Sequence, residues 1–151
     1  MAKKSAGILL FRNHAKTLEV MLVHPGGPFF ANKEDGVWSI PKGEYDETEE
    51  ALKAACREFE EELGSPVQGY FIPLGEVKQK GGKLVHCWAV EGELDTTAIR
   101  SNTFKMSWPP RSGKVREFPE VDKAEWFTIA MATQKINPAQ AIFLERLQQL
   151  F

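Results

Sequence analysis

The sequence predicts an α/β sandwich, a mixed sheet flanked by helices, and three observations carry that prediction. Apolar runs containing β-branched residues stand near the N-terminus at 5–12 (SAGILLFR) and 18–24 (LEVMLVH), separated by a polar stretch. Residues 47–63 show helical apolar spacing between a start and a stop signal. Residues 138–150 show it again through Ile142, Phe143, Leu147 and Leu150. Strands bracketed by helices in this way bury their apolar faces in layers.

Taken in order, the two N-terminal runs read as a hairpin. Pro25-Gly26-Gly27-Pro28 then breaks the chain into a loop carrying Phe29 and Phe30. Val37 to Ile40 reads as a short strand stopped by Pro41. Asp46, followed three residues later by Glu49, fits a capping box that opens the helix at 47–63, and Leu63-Gly64-Ser65-Pro66 closes it. Strands are expected at about 70–78 and 83–91, joined by a turn at Gly81-Gly82. Within 97–118 the stretch Trp108-Pro109-Pro110-Arg111-Ser112-Gly113 reads as a loop, and Glu125-Trp126-Phe127 as a late strand. No repeat or linker divides the chain, so residues 1–151 are expected to form one domain.

Composition excludes several classes of function. Lys plus Arg number 19 against 21 Asp plus Glu, a net charge of −2 that gives no bulk electrostatic grip on nucleic acid. Two cysteines, Cys56 and Cys87, cannot build a disulfide framework and read as buried thiols in a reducing compartment. No apolar run approaches the ~18 residues of a membrane span. The start MAKKSAGILLF is too short in its apolar part for a secretory signal, so the expected location is the cytoplasm. A monomer or homodimer is expected, with a small-molecule partner.

The helix carries the chemistry. At about 100° per residue, Leu52, Cys56, Phe59 and Leu63 fall in one narrow stripe that should face the core. Glu58, Glu61 and Glu62 share an arc of about 100° beside it. Ala51, Ala54 and Ala55 leave room for something to approach that arc. Like charges at these spacings cost a helix about 0.2–0.5 kcal/mol per pair. Two of the three also lie in the last turn, where the macrodipole disfavours anions. A concave acidic edge of this kind suits a hard divalent cation, Mg²⁺ or Mn²⁺, which takes oxygen ligands and keeps room for a phosphate.

These residues resemble a known signature. Gly43, five residues, Glu49, seven residues, then Arg57-Glu58-Phe59-Glu60-Glu61-Glu62-Leu63-Gly64 is similar to the box of the Nudix hydrolases, departing only at Ser65, where that family prefers an aliphatic residue. The lead-in Trp38-Ser39-Ile40-Pro41-Lys42-Gly43 and the C-terminal helix extend the resemblance over the whole chain. It implies an α/β/α sandwich and divalent-metal-dependent hydrolysis of a pyrophosphate bond, with Glu58, Glu61 and Glu62 as metal ligands and the Lys42 carbonyl adding another. Gly43 lets the lead-in run close to the helix. Arg57 is expected to pair with Glu49 and fix the carboxylates beside it. The general base stays open between a box glutamate and the acids at Glu117 and Glu120.

The lead-in Trp-Ser-Ile-Pro-Lys-Gly-Glu resembles family members acting on nucleoside triphosphates and dinucleoside polyphosphates. ADP-ribose, a nucleotide sugar or an RNA 5′ end are the alternative substrates, and a nucleotide-sensing domain without catalysis is the alternative outside enzymes. Candidate substrate contacts are the loop aromatics Phe29, Phe30, Phe104 and Trp108, which could stack on a base, and Arg111 and Arg116, which could neutralise phosphate.

Overall fold

A computed structural model of the chain describes residues 3–151. Met1 and Ala2, the start of the segment weighed above as a secretory signal, lie outside the described residues. Strands β1 (Lys4–His14) and β2 (Thr17–Pro25) form the expected hairpin, turned by Ala15 and Lys16 at φ 51° and 67°. β1 is shared along that edge, pairing β2 through Phe11–His14 and the short β3 (Lys42–Tyr45) through Lys4–Gly7. On its other edge β1 pairs β5 (Leu84–Glu91) in parallel, and β5 pairs β4 (Ile72–Lys78) antiparallel. β2 pairs β8 (Val121–Thr128), giving the mixed order β4-β5-β1-β2-β8. A separate hairpin of β6 (Thr103–Ser107) and β7 (Val115–Pro119) stands off this sheet.

The alternation of β1 splits the core into two layers. Ile8 and Leu10 join Met21, Val23, Ala54, Ala55, Phe59 and Leu63 beneath helix α1 (Ala51–Leu63). Leu9 and Phe11 point the other way, into Leu22, Val85, Phe143, Leu144 and Leu147 beneath helices α2 (Ile129–Lys135) and α3 (Ala141–Gln148). Burying each large side chain contributes about 1.5–3 kcal/mol, so a central strand apolar on both faces defines the α/β/α layering.

Four boundaries differ from expectation. The Asp46 capping pattern does not open α1: Asp46 accepts from the Thr48 N–H and hydroxyl, closing a turn, and the helix begins at Ala51. Val37–Ile40 contributes isolated bridges at Trp38 and Ser39, and the strand forms after Pro41 instead, where β1 offers unpaired backbone. Residues 138–150 begin as a 3₁₀ turn, Pro138–Gln140, capped by Asn137, before α3. α2, which sequence periodicity did not show, is seven residues long and is capped by the Thr128 hydroxyl accepting from the Met131 N–H. No helix among the described residues is long and apolar enough to cross a membrane.

Candidate active site

α1 is rolled relative to its expected stripe. Its buried residues are Ala54, Ala55, Glu58, Phe59, Glu62 and Leu63, while Leu52 and Cys56 are half-buried. The alanines let the helix sit close on β1 and β3, and this carries Glu58 and Glu62 into the protein. Gly43 is what allows it: a Cβ there would overlap the Glu58 carboxylate.

Arg57 organises the acids around it. It donates to both oxygens of Glu49 at 2.8 and 2.9 Å, the pairing expected from sequence, and from Nη1 to Glu58 at 2.9 Å and Glu61 at 3.2 Å. A forked guanidinium spanning three carboxylates fixes their rotamers in a way a lysine point charge does not. These bonds raise the Arg57 pKa further and lower that of Glu49.

The far end of α1 is tied to the segment that delivers a third acid. Gly64, at φ 80°, donates back to the Glu60 carbonyl, while the free carbonyls of Glu61 and Leu63 accept from the Asn102 and Arg100 N–H groups. The Asn102 carbonyl in turn accepts from the Glu120 N–H at 2.9 Å, and the Gly26 N–H donates to the Glu120 carbonyl at 2.8 Å. Glu120 therefore sits between β7 and β8 with its backbone held on both sides. Carboxylate oxygens of Glu58, Glu62 and Glu120 lie within 4.8 Å of one another. Glu61 lies outside that trio, drawn toward Arg57 at the rim. Glu117 is exposed on β7, opposite Lys105.

Burial and crowding shape the electrostatics. Burial first, then the charges of Glu58 and Glu120, push the Glu62 carboxyl up to about 9, against the pull of Lys42. Burial and then Glu61 raise both Glu58 and Glu120, while burial lowers the Lys42 ammonium. Three hard oxygen donors whose charge the protein leaves partly uncompensated are the donor set a divalent cation takes.

These acids open on a cavity of about 390 Å³ whose lining includes Glu62, Glu120, Lys42, Phe30, Ser39 and Gln140. A second cleft of about 580 Å³ continues past Lys42, Gln79 and Asn137 to Lys80 and Lys83. A larger hollow of about 810 Å³ between Lys3 and Glu49 holds none of the three converging acids. Of the loop candidates only Phe30 lines the acidic cavity. Phe29 packs edge-on to Trp108 with ring centroids 5.5 Å apart, and Phe104 packs beneath Gly27, so the β6–β7 hairpin docks on the loop before Phe30. Arg111 and Arg116 are exposed on that hairpin and outside the cavity wall. Lys83, Gln79 and Asn137 were not foreseen. The Gly81-Gly82 turn between Lys80 and Lys83 is the signal that could have found Lys83.

Fold and site together give an α/β/α sandwich whose longest helix turns acids that could hold a metal ion toward a cavity. The model of the NUDIX domain family matches residues 1–147, and the chain belongs to that family. Its fold is similar to the NUDIX domain of Shewanella oneidensis NrtR complexed with ADP ribose (TM-score 0.68, 19% identity, 99% of this chain and 88% of that one). It is similar as well to a Caenorhabditis elegans Ap4A hydrolase in a binary complex (TM-score 0.66, 19% identity, 97% and 96%). A MutT structure from work on Aliivibrio salmonicida and Vibrio cholerae aligns at TM-score 0.60 and 16% identity over 99% and 98% of the two chains. The sequence has no match among curated proteins.

Proposed function

We propose that this Nudix hydrolase cleaves a pyrophosphate bond in a nucleoside polyphosphate, a nucleoside triphosphate or diadenosine polyphosphate, by attack of water on phosphorus. The observation that carries the reading is a cavity lined by converging carboxylates and by Lys42 beside Glu62, continuing into a cleft lined by Lys80 and Lys83. Acids suit a cation, and three lysines beyond them suit phosphates too numerous for that cation to neutralise. Likeness to the Ap4A hydrolase fold agrees with this substrate class.

The donor set fits Mg²⁺ or Mn²⁺. Glu58 and Glu62 would hold it, with Glu61 at the rim and the Lys42 carbonyl adjoining, and the bound ion supplies charge neutralisation on phosphate oxygens and a more acidic water. The protein's own groups do the rest. Arg57 fixes Glu58 and Glu61 through one guanidinium, so the cluster meets substrate pre-arranged. Glu120, the most solvent-open of the trio, is placed to accept the proton of the attacking water. Its position beside the box glutamates favours it over Glu117 for that role. Lys42, Lys80 and Lys83 bind the remaining phosphates. Phe30, with Lys33 above its ring at 5.8 Å, offers a face for a base. Phe29 on the loop beside Phe30, and Trp108, Arg111 and Arg116 on the neighbouring hairpin, engage the part of the substrate that extends beyond the cavity.

A second reading, ADP-ribose or a nucleotide sugar as substrate, draws on the likeness to the ADP-ribose-bound NrtR domain. A panel of ATP, diadenosine tetraphosphate, ADP-ribose and 5′-triphosphorylated RNA with Mg²⁺, scored by phosphate-containing product, decides between them. Higher kcat/KM on diadenosine tetraphosphate or ATP is the expected result, and preference for ADP-ribose refutes the first reading.

A further inference from the structure

β2 ends in a histidine that the hydrolysis described above does not use. His24 is fully buried, with Nδ1 at 2.8 Å from Asp122 Oδ1 and Nε2 at 2.7 Å from the Lys33 carbonyl oxygen. Both ring nitrogens are thereby engaged by oxygens of other segments. Acidic side chains face the ring. Asp122 approaches from β8 and Glu34 from the loop at 3.8 Å, and Glu34 is held by Lys123 at 3.2 Å and Lys135 at 3.5 Å. Trp38 closes the remaining side with an edge contact at 5.2 Å between centroids.

What the ring holds is the frame of the cavity. Lys33 belongs to the loop that supplies Phe30 and Gly36 to the cavity wall. Asp122 lies two residues beyond Glu120, in a stretch where the pairing of β2 with β8 shifts register between His24 and Pro25. One buried side chain thus spans the two segments that carry the base-binding face and the third carboxylate.

We propose that His24 is a positioning residue: its ring ties the Phe30 loop, through the Lys33 carbonyl, to the Glu120 segment, through Asp122, and so sets the spacing of substrate and catalytic acids. This rests on the reading of the cavity as the active site, and the test separates the two. His24→Asn keeps a donor where Nδ1 stands, and His24→Gln keeps one where Nε2 stands. With diadenosine tetraphosphate and Mg²⁺, His24→Asn raises KM roughly tenfold, the scale of one buried hydrogen bond, with kcat held within about threefold. His24→Gln does the reverse, lowering kcat with KM nearly unchanged. Hydrogen exchange rises at 28–36 in the first variant and at 118–123 in the second. Two variants that alter kcat, KM and exchange alike overturn the proposal. If the wild type hydrolyses nothing in the substrate panel, the active-site reading fails, and the divided exchange pattern still decides the role of His24.

Discussion

Glu62 is the group on which metal-free stability should turn. It is buried against two other carboxylates, and its pKa stands at about 9 in the folded protein against an ordinary 4.5. The folded state then holds a proton that the unfolded chain has released, so stability is greatest at or below pH 4.5 and drains away as pH rises toward 9. Each pH unit between these limits is worth about 1.4 kcal/mol, which puts the loss at pH 7 on the order of 3 kcal/mol. Glu62→Gln removes the ionisation while keeping the shape, and its amide can donate to the neighbouring acids. In EDTA the variant should melt roughly 6–12 °C above the wild type near pH 7, at about 2–4 °C per kcal/mol for a chain of this size. The gap should close at pH 5, and Mg²⁺ should narrow it by stabilising only the wild type. Thermal unfolding followed by circular dichroism at pH 5, 7 and 9, with EDTA or Mg²⁺, is the assay. A variant no more stable than the wild type at pH 8 in EDTA would mean that Glu62 is not held protonated by burial.

Further outcomes follow from the same geometry. Gly43→Ala places a methyl group on the Glu58 carboxylate and should cost about 100-fold in kcat, the price of an ångström of misplacement, measured by steady-state kinetics beside a melting curve. Arg57→Lys gives up the fork to Glu49 and should lose about 10–100-fold in activity or metal affinity, read by Mn²⁺ titration. Because the acids bind protons in competition with metal, the pH–rate profile should rise with pH and shift to lower pH as Mg²⁺ increases; a profile indifferent to Mg²⁺ contradicts this. Lys80→Ala with Lys83→Ala should reduce kcat/KM more for diadenosine tetraphosphate than for ADP-ribose, and equal losses would remove the lysine cleft from phosphate binding. Arg111→Ala with Arg116→Ala should likewise penalise the longer polyphosphates.

The layered architecture was legible because β1 and β2 are apolar on both faces and α1 has a strong apolar pattern. The box spacing likewise made Glu58, Glu62, Arg57 and Gly43 legible as one group. The roll of α1 was not. A helical wheel counts Leu52 and Cys56 as core and glutamates as surface, whereas Ala54 and Ala55 let the backbone approach β3 and pull Glu58 and Glu62 inward. Asp46, five residues before the helix begins at Ala51, satisfied a capping pattern locally yet spends its hydrogen bonds on Thr48. β3 was hidden by Pro41, because its pairing depends on where β2 leaves the edge of β1 free. Glu120 stood among several acids in a stretch of weak periodicity. What singles it out is long-range: the Asn102 carbonyl on one side and Gly26 on the other. His24 read as an ordinary strand residue for the same reason, since both its partners come from other segments.

Whether Glu58, Glu62 and Glu120 form one metal-dependent hydrolytic centre for polyphosphates is decided by ³¹P NMR of diadenosine tetraphosphate turnover in H₂¹⁸O by wild type, Glu62→Gln and Glu120→Gln, each with Mg²⁺ or EDTA. Such a centre incorporates ¹⁸O into a product phosphate in the wild type with Mg²⁺ alone, and turnover falls by at least about 100-fold in each variant that still melts cooperatively. Hydrolysis in EDTA, or undiminished turnover in either folded variant, would contradict it.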